Sequence, residues 1–268
     1  MKKKGKILIV GGTGFIGFHL AKRLLKKKFN VTSISAHKPK KIRFLKRIKY
    51  IVCDISNNKK LNEKLDLNFQ YVVNLGGYVD HSNKDKTYKS HFLGCKNLAN
   101  FFVKQPCLEK FIQIGSSLEY GNQKSPQQES LIGSPKSIYS KAKYLATNFL
   151  INQYRKNKLP VTILRLYQIY GPYQDVNRFL PILITSCLKD KKFPCSNGNQ
   201  YRDFLYVDDL ISAIEKILTN KKSNGEILNI GMGKPIKIRH LINLVKKKIN
   251  KGKPQFGKIK LRKDESFK

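Results

Sequence analysis

Tyr139 and Lys143 lie four residues apart in the run Ser137-Ile138-Tyr139-Ser140-Lys141-Ala142-Lys143. On a helix that spacing puts a phenol and an ammonium on one face. A phenol ordinarily ionises at about pH 10, and a neighbouring cation favours its phenolate, which makes it an acid/base for an alcohol or carbonyl oxygen. The same spacing also arises on a plain solvated face in a lysine-rich chain, so a second element must support it. Gly11-Gly12-Thr13-Gly14-Phe15-Ile16-Gly17 directly follows the apolar run Lys6-Ile7-Leu8-Ile9-Val10. That order reads as a buried strand turning through glycines into a helix from near Phe15. Glycines let the backbone approach a pyrophosphate, and the helix N-terminus presents free N–H groups and a positive dipole end. A dinucleotide site and a lysine-primed tyrosine together can move a hydride at a carbinol carbon.

These groups need a scaffold that brings them to one place. Lys110-Phe111-Ile112-Gln113-Ile114-Gly115-Ser116-Ser117 reads as a strand ending in hydroxyls, and open α/β sheets bind ligands at strand C-termini. Val31–Ser35, Tyr50–Cys53, Tyr71–Leu75 and Val161–Leu166 read as further strands. Residues 89–103 and 136–156 read as long helices between them. The alternation implies an α/β fold, a doubly wound parallel sheet with helices on both faces. The dinucleotide-binding unit is expected over 1–166 and carries Ser116, Tyr139 and Lys143. Residues 167–268 are expected to form a smaller substrate-binding lobe, with some elements returning to the sheet. Phe193–Asn199 reads as loop, and Asp208–Leu218 and Ile236–Ile249 as amphipathic helices.

Composition narrows the classes. The 268 residues suffice for a sizeable core, and 40% are hydrophobic. The longest apolar runs are strand-length, which predicts no membrane span and a cytoplasmic protein. Cys53, Cys95, Cys107, Cys187 and Cys195 are scattered without a C-x-x-C pair, and the five histidines show no ligand spacing. Reduced thiols and no metal are expected. The formal net charge is +37. It reads as compositional lysine bias, because short runs such as Lys26-Lys27-Lys28 and Lys246-Lys247-Lys248 fall at helix ends and loops. Nucleic-acid binding is the alternative reading of that charge.

Taken in order, the motifs resemble the extended short-chain dehydrogenase/reductases, in particular the nucleotide-sugar epimerase/dehydratase/reductase group. They are Gly11-x-x-Gly14-x-x-Gly17, Asp54, Ser116 to Gly121, Tyr139-x-x-x-Lys143, Arg165 to Pro172, Arg202 to Asp209 and Asn229 to Gly233. The resemblance implies a Rossmann-type fold and catalysis at C4 of a nucleotide-linked sugar by Ser116, Tyr139 and Lys143. It implies cofactor contacts from Gly11, Thr13, Gly14, Phe15, Ile16, Gly17, Ser35, Lys38, Asp54, Ile55, Leu75, Gly76 and Gly77, with Tyr139 and Lys143. Ser117, Gln168, Arg202 and Arg262 are the implied substrate contacts, Arg202 as a pyrophosphate clamp. Arg165 stays unassigned. A homodimer through the helices near 89–103 and 136–156 is expected. Relatives of this kind continue for several dozen residues beyond the strand holding Arg262, so either a truncated C-terminal lobe or a fragment of a longer chain is expected.

Departures from the pattern refine these expectations. Dehydratases of the group place an Asp-Glu pair where this chain has Ser117 and Leu118, so 4,6-dehydration is not expected. Glu119 is expected to lie on an extended segment and to point away from the sugar. His91 and Gln168 stand where asparagines are usual. The end of the second strand reads Ser35-Ala36-His37-Lys38, followed by Lys40, Lys41 and Arg43, with no carboxylate to hold an adenosine ribose diol. NADP(H) is therefore favoured over NAD(H). Ketone reduction and 4-epimerisation both remain open. So do a non-catalytic or RNA-binding member of the superfamily and a reductase of small carbonyl compounds.

Overall fold

The computed structural model describes residues 4–66, 68–78 and 83–261. Six apolar runs form strands β1 (Lys6–Val10), β2 (Asn30–Ser35), β3 (Lys49–Val52), β4 (Tyr71–Asn74), β5 (Lys110–Ser116) and β6 (Val161–Leu166). Successive side chains of a strand point to opposite faces, and β1 shows what that achieves here. Ile7 and Ile9 enter one apolar core, while Leu8 and Val10 enter the other. The first core is closed by α1 (Phe15–Lys26), through Leu20, Ala21 and Leu24. The second is closed by α2 (Asn58–Lys64), a helix over Gly94–Phe102, and a long helix over Ile138–Asn157.

The stretch expected as one helix over 89–103 starts earlier and is not uniform. It comprises α3 (Lys84–Tyr88), a π turn at Lys89–Leu93, and α4 (Gly94–Phe102). α5 (Ile138–Asn157) begins on Ser137, whose hydroxyl caps Ser140 N–H at 3.1 Å.

Beyond β6 the chain makes short ladders. β7 (Gln168–Tyr170) is followed by α6 (Phe179–Leu188), then β8 (Lys192–Pro194), β9 (Tyr201–Arg202) and β10 (Phe204–Tyr206). Lys192–Pro194 is thus a strand where part of the segment read as loop. It escaped notice because its partner is distant in sequence. α7 (Val207–Leu218) then adds Leu210, Ile211 and Ile214 to the first core. β11 (Ile227–Ile230), β12 (Ile236–Lys237), α8 (Ile238–Ile249) and β13 (Lys253–Gln255) complete the described elements. β10 lies parallel to β7, β12 antiparallel to β9, and β13 parallel to β8. A third apolar cluster joins Leu183 and Cys187 of α6 to Phe193, Cys195, Ile238 and Ile242.

β11 returns to pair with β6. The central sheet is seven parallel strands in the order β11-β6-β5-β4-β1-β2-β3. This is a Rossmann-like α/β fold. Strand order reverses between β1 and β4, and a crevice opens at their C-terminal ends, the usual ligand position in such sheets. At the opposite end, Lys110 opens β5 almost fully buried. Its ammonium donates to Thr162 Oγ1 (3.3 Å), Ser223 Oγ (3.1 Å), the Asn220 carbonyl (2.7 Å) and Asn224 Oδ1. Burial pulls Lys110 down from 10.5 to about 8.

Candidate active site

Three elements deliver three side chains to the C-terminal end of β5. Ser116 is its last residue, and Tyr139 and Lys143 come from the first turns of α5. Ser116 and Tyr139 share a side-chain hydrogen bond. Lys143 is buried, donates to the Ile114 carbonyl at 2.7 Å, and holds its ammonium 6.0 Å from the Tyr139 ring centre. Burial raises the Tyr139 phenol above its ordinary value. The Ser116 hydrogen bond and the Arg178 charge act in the opposite direction, while Glu119 adds to the rise. Burial also pulls Lys143 down to about 8, against the pull of Glu119. The ammonium is thus poised to change charge near neutral pH.

A cavity of about 1100 Å³ opens from Tyr139 toward the third apolar cluster. Its walls include Leu118, Gln168, Arg178, Arg202 and Phe204. Arg202 donates to the Tyr201 carbonyl at 2.5 Å, and Gln168 stands exposed at the start of β7. Leu118 rather than Ser117 faces this space. Ser117, expected as a substrate contact, does not line the cavity, because a short 3₁₀ turn at Ser117–Tyr120 rotates the chain there. Arg262 lies outside the described residues. Arg178 was not singled out from sequence. It precedes α6, and only the fold-back after β7 brings its guanidinium close enough to act on Tyr139.

The crevice between β1 and β4 fits a dinucleotide. Gly11 and Leu75 follow the two strands, Gly11 N–H bonding Ile34 O (2.8 Å) and Leu75 N–H bonding Val10 O (3.0 Å). α1 starts on Gly14 without a side-chain cap, so its first N–H groups lack helical partners and face the turn. A Cβ at Gly17 would collide with the Gly11 carbonyl, so only glycine lets α1 come this close to the turn. Thr13, Phe15 and Ile16 lie between Gly11 and Gly17, Gly76 lies against Gly11 with Ile55 buried beside it, and Gly77 lies against the His91 ring. Asp54 is exposed and accepts Ser56 N–H at 2.9 Å.

At the end of β2, Ser35 is buried and Lys38 exposed. The sequence around them holds no carboxylate, yet the fold supplies one. Asp175 pairs with Lys40 (2.9 Å) and with the buried Arg43 (3.1 Å), and Arg43 also donates to the Tyr173 carbonyl. His19 Nε2 holds the Pro172 carbonyl at 2.9 Å. Two of the cations expected near the ribose are therefore engaged by a loop from beyond β7. No local pattern could have shown this.

The model of the NAD dependent epimerase/dehydratase family matches residues 7–231, most of the chain, from β1 through β11. The chain belongs to that family. A dTDP-D-glucose 4,6-dehydratase from Dictyostelium discoideum is 34% identical over 84% of this chain, which spans 58% of that protein's length. The crystal structure of a UDP-glucose 4-epimerase from Thermotoga maritima with UDP-glucose superimposes with a TM-score of 0.89, at 25% identity, over 96% of this chain and 86% of the epimerase. A UDP-glucuronic acid 4-epimerase from Bacillus cereus, solved with UDP-glucuronic acid and NAD, gives 0.82 at 29% identity over 94% and 86%.

As an epimerase/dehydratase family member the chain shows two local departures. His91 lies in the π turn, its ring edge-on to Tyr139 at 4.9 Å and its Nε2 at 3.1 Å from the Tyr78 carbonyl. It packs directly against Tyr139 without lining the cavity. Glu119 is not on an extended segment. The 3₁₀ turn sends its carboxylate inward, fully buried, where it pairs with Arg165 at 3.1 Å. The expectation that it misses the cavity stands, for a different geometric reason.

Proposed function

We propose that the protein is an NADP(H)-using oxidoreductase acting at C4 of a nucleotide-linked sugar, as a 4-keto-6-deoxysugar reductase or a 4-epimerase. One observation carries the reading. Tyr139, hydrogen-bonded to Ser116 and backed by Lys143, lines one end of a cavity whose walls also present Arg178 and Arg202. Tyr139 moves the proton at the C4 oxygen, and Ser116 donates a hydrogen bond to the same oxygen. Lys143 favours the phenolate by its charge and holds the cofactor's ribose. Arg178 and Arg202 take the diphosphate, since planar guanidinium groups suit phosphate oxygens. Gly11, Gly14 and Gly17 with the start of α1 hold the dinucleotide pyrophosphate, and Asp54 the adenine. When bound, the nicotinamide supplies or accepts the hydride.

Leu118 supports a substrate apolar at C6. It is 46% exposed and faces the cavity, where an acid would be needed to expel a C6 hydroxyl. Leucine has no exchangeable proton, and Glu119 is sealed beneath the turn. A mass-spectrometric screen of nucleotide hexoses and their 4-keto-6-deoxy derivatives, with NADPH and NADH, tests the reading. C4 reduction or epimerisation is expected, without formation of a 4-keto-6-deoxy product. Absence of any C4 chemistry rejects the proposal, and release of the 4-keto product rejects the role given to Leu118.

The cofactor preference is tested separately by calorimetry. Ser35 leaves no charge opposing a 2′-phosphate, and Lys38 is exposed to meet one. NADPH is expected to bind more tightly than NADH by tenfold, about 1.4 kcal/mol, or roughly one charge-assisted hydrogen bond. Equal or tighter NADH binding overturns the preference and favours the epimerase reading.

A further inference from the structure

Glu119 is the only carboxylate among the described residues to lie fully buried, and it sits directly under the catalytic group. Its Oε1 accepts the Ser116 N–H at 2.8 Å. Its Oε2 accepts the Thr147 hydroxyl at 2.8 Å and Arg165 Nε–H at 3.1 Å. These bonds come from β5, α5 and β6, the three elements that meet below the site. Thr147 stands one turn beyond Lys143 on the buried face of α5. Gly115 makes room for the carboxylate, since a Cβ there would lie 2.6 Å from Oε1. The arrangement is costly to build, because burying a carboxylate requires a cation and a full set of donors.

The charges around it are few. Arg165 is 2% exposed and lies over the Tyr120 ring, 4.4 Å from its centre. The Tyr120 hydroxyl donates to Asn229 Oδ1 at 2.8 Å and also shares a side-chain hydrogen bond with Arg165. Lys143 is 4% exposed, and among the described residues no carboxylate lies within ion-pair distance of it. The charge acting on Lys143 is Glu119, and the Cys95 thiol from α4, pushed up to about 12 by burial, is neutral beside it. Arg178 and His91 face Tyr139 from the other side. Without Glu119, two buried cations would share one water-excluded region.

We propose that Glu119 is a positioning residue of the active site, whose carboxylate fixes Ser116 at the end of β5 and, through Thr147, stands one turn of α5 from Lys143. The proposal rests on the roles given above to Ser116, Tyr139 and Lys143. The Ser116 bond closes the capping box of the turn at Ser117–Tyr120, and the Thr147 bond brings the same carboxylate to the face of α5 that holds Lys143. Replacing the anion with an amide favours loss of a proton from every nearby group, so the Lys143 ammonium should titrate at lower pH.

The experiment needs no substrate. Protein labelled with 13C at lysine Cε is titrated by NMR, and the Lys143 resonance is assigned by its loss in Lys143→Arg. In Glu119→Gln its midpoint is expected to fall by about one pH unit, the lower end of the effect of one close charge. Lys110, also held near 8 but at the opposite end of β5, serves as the internal control and should not move. If Glu119→Gln does not fold, the pair Glu119→Gln/Arg165→Met is compared with Arg165→Met alone, so that the cation is absent from both, and the lower midpoint is expected in the pair. A Lys143 midpoint unchanged or raised in a folded variant, with Lys110 unchanged, overturns the proposal. That result would leave the assignment of Tyr139 standing, and a negative substrate screen would leave the titration readable.

Discussion

Tyr139→Phe is expected to fold, to bind dinucleotide like the wild type, and to lose a hundredfold to ten-thousandfold in turnover, the usual order of magnitude for removing a general acid/base, roughly 3 to 5 kcal/mol of barrier. The ring keeps its edge contact with His91 and its place on the first turn of α5. Only the proton carrier goes, along with the hydrogen bond to Ser116. Because the phenol is raised by burial and the ammonium lowered to about 8, the wild-type rate should fall off on the basic side as Lys143 loses its proton. Turnover close to wild type in Tyr139→Phe, measured with whichever substrate the screen identifies, would remove Tyr139 from the mechanism.

Lys110→Met is expected to be the most destabilising single change far from the site. The ammonium gathers four oxygens, from β6 and from the turn that leads into β11, at one point at the start of β5. Methionine fills the volume but offers no donor, so Asn224 Oδ1 loses a buried partner and the turn loses its tie to the sheet. Loss of about 3 kcal/mol is expected, since leaving buried polar groups unpaired costs about 1–3 kcal/mol each. Urea unfolding measures this, and a change under 1 kcal/mol would show that the turn re-forms without it. The pH dependence carries a sign. Folded Lys110 titrates at about 8 and an ordinary lysine at 10.5, so the unfolded chain binds more protons between those values. Wild-type stability should rise with pH across that window, and the methionine variant should lack this rise.

Much of the scaffold was legible because local signals agreed. Apolar runs of strand length alternated with helical stretches, and the glycine turn fixed where the first strand ends. Tyr139 and Lys143 were legible from spacing, and Ser116 from its place at a strand end. What escaped depended on long-range geometry. Arg178 reaches Tyr139 only through the fold-back after β7, and Asp175 meets Lys40 and Arg43 from a loop remote in sequence. Glu119 was misjudged although a local signal existed. Ser116-Ser117-Leu118-Glu119 has the Ser-x-x-Glu pattern of a capping box, which predicts a helical turn with the glutamate folded back to the serine N–H.

The late arrival of β11 at the edge of the sheet has a consequence for biosynthesis. Val161–Leu166 is wholly buried in the finished protein, with Gly225 N–H bonded to Val161 O (2.7 Å) and Ile163 N–H to Glu226 O (2.9 Å). A chain emerging from the ribosome reaches Leu166 long before it reaches Ile230. At translation rates of about 5–20 residues per second the gap lasts on the order of several seconds. During that time β6 is an unpaired apolar border, open to any strand that finds it first, from another nascent chain or from the same one in the wrong register. A premature stop anywhere between Leu166 and Ile227 would make that border permanent, turning a loss of substrate contacts into a tendency to aggregate.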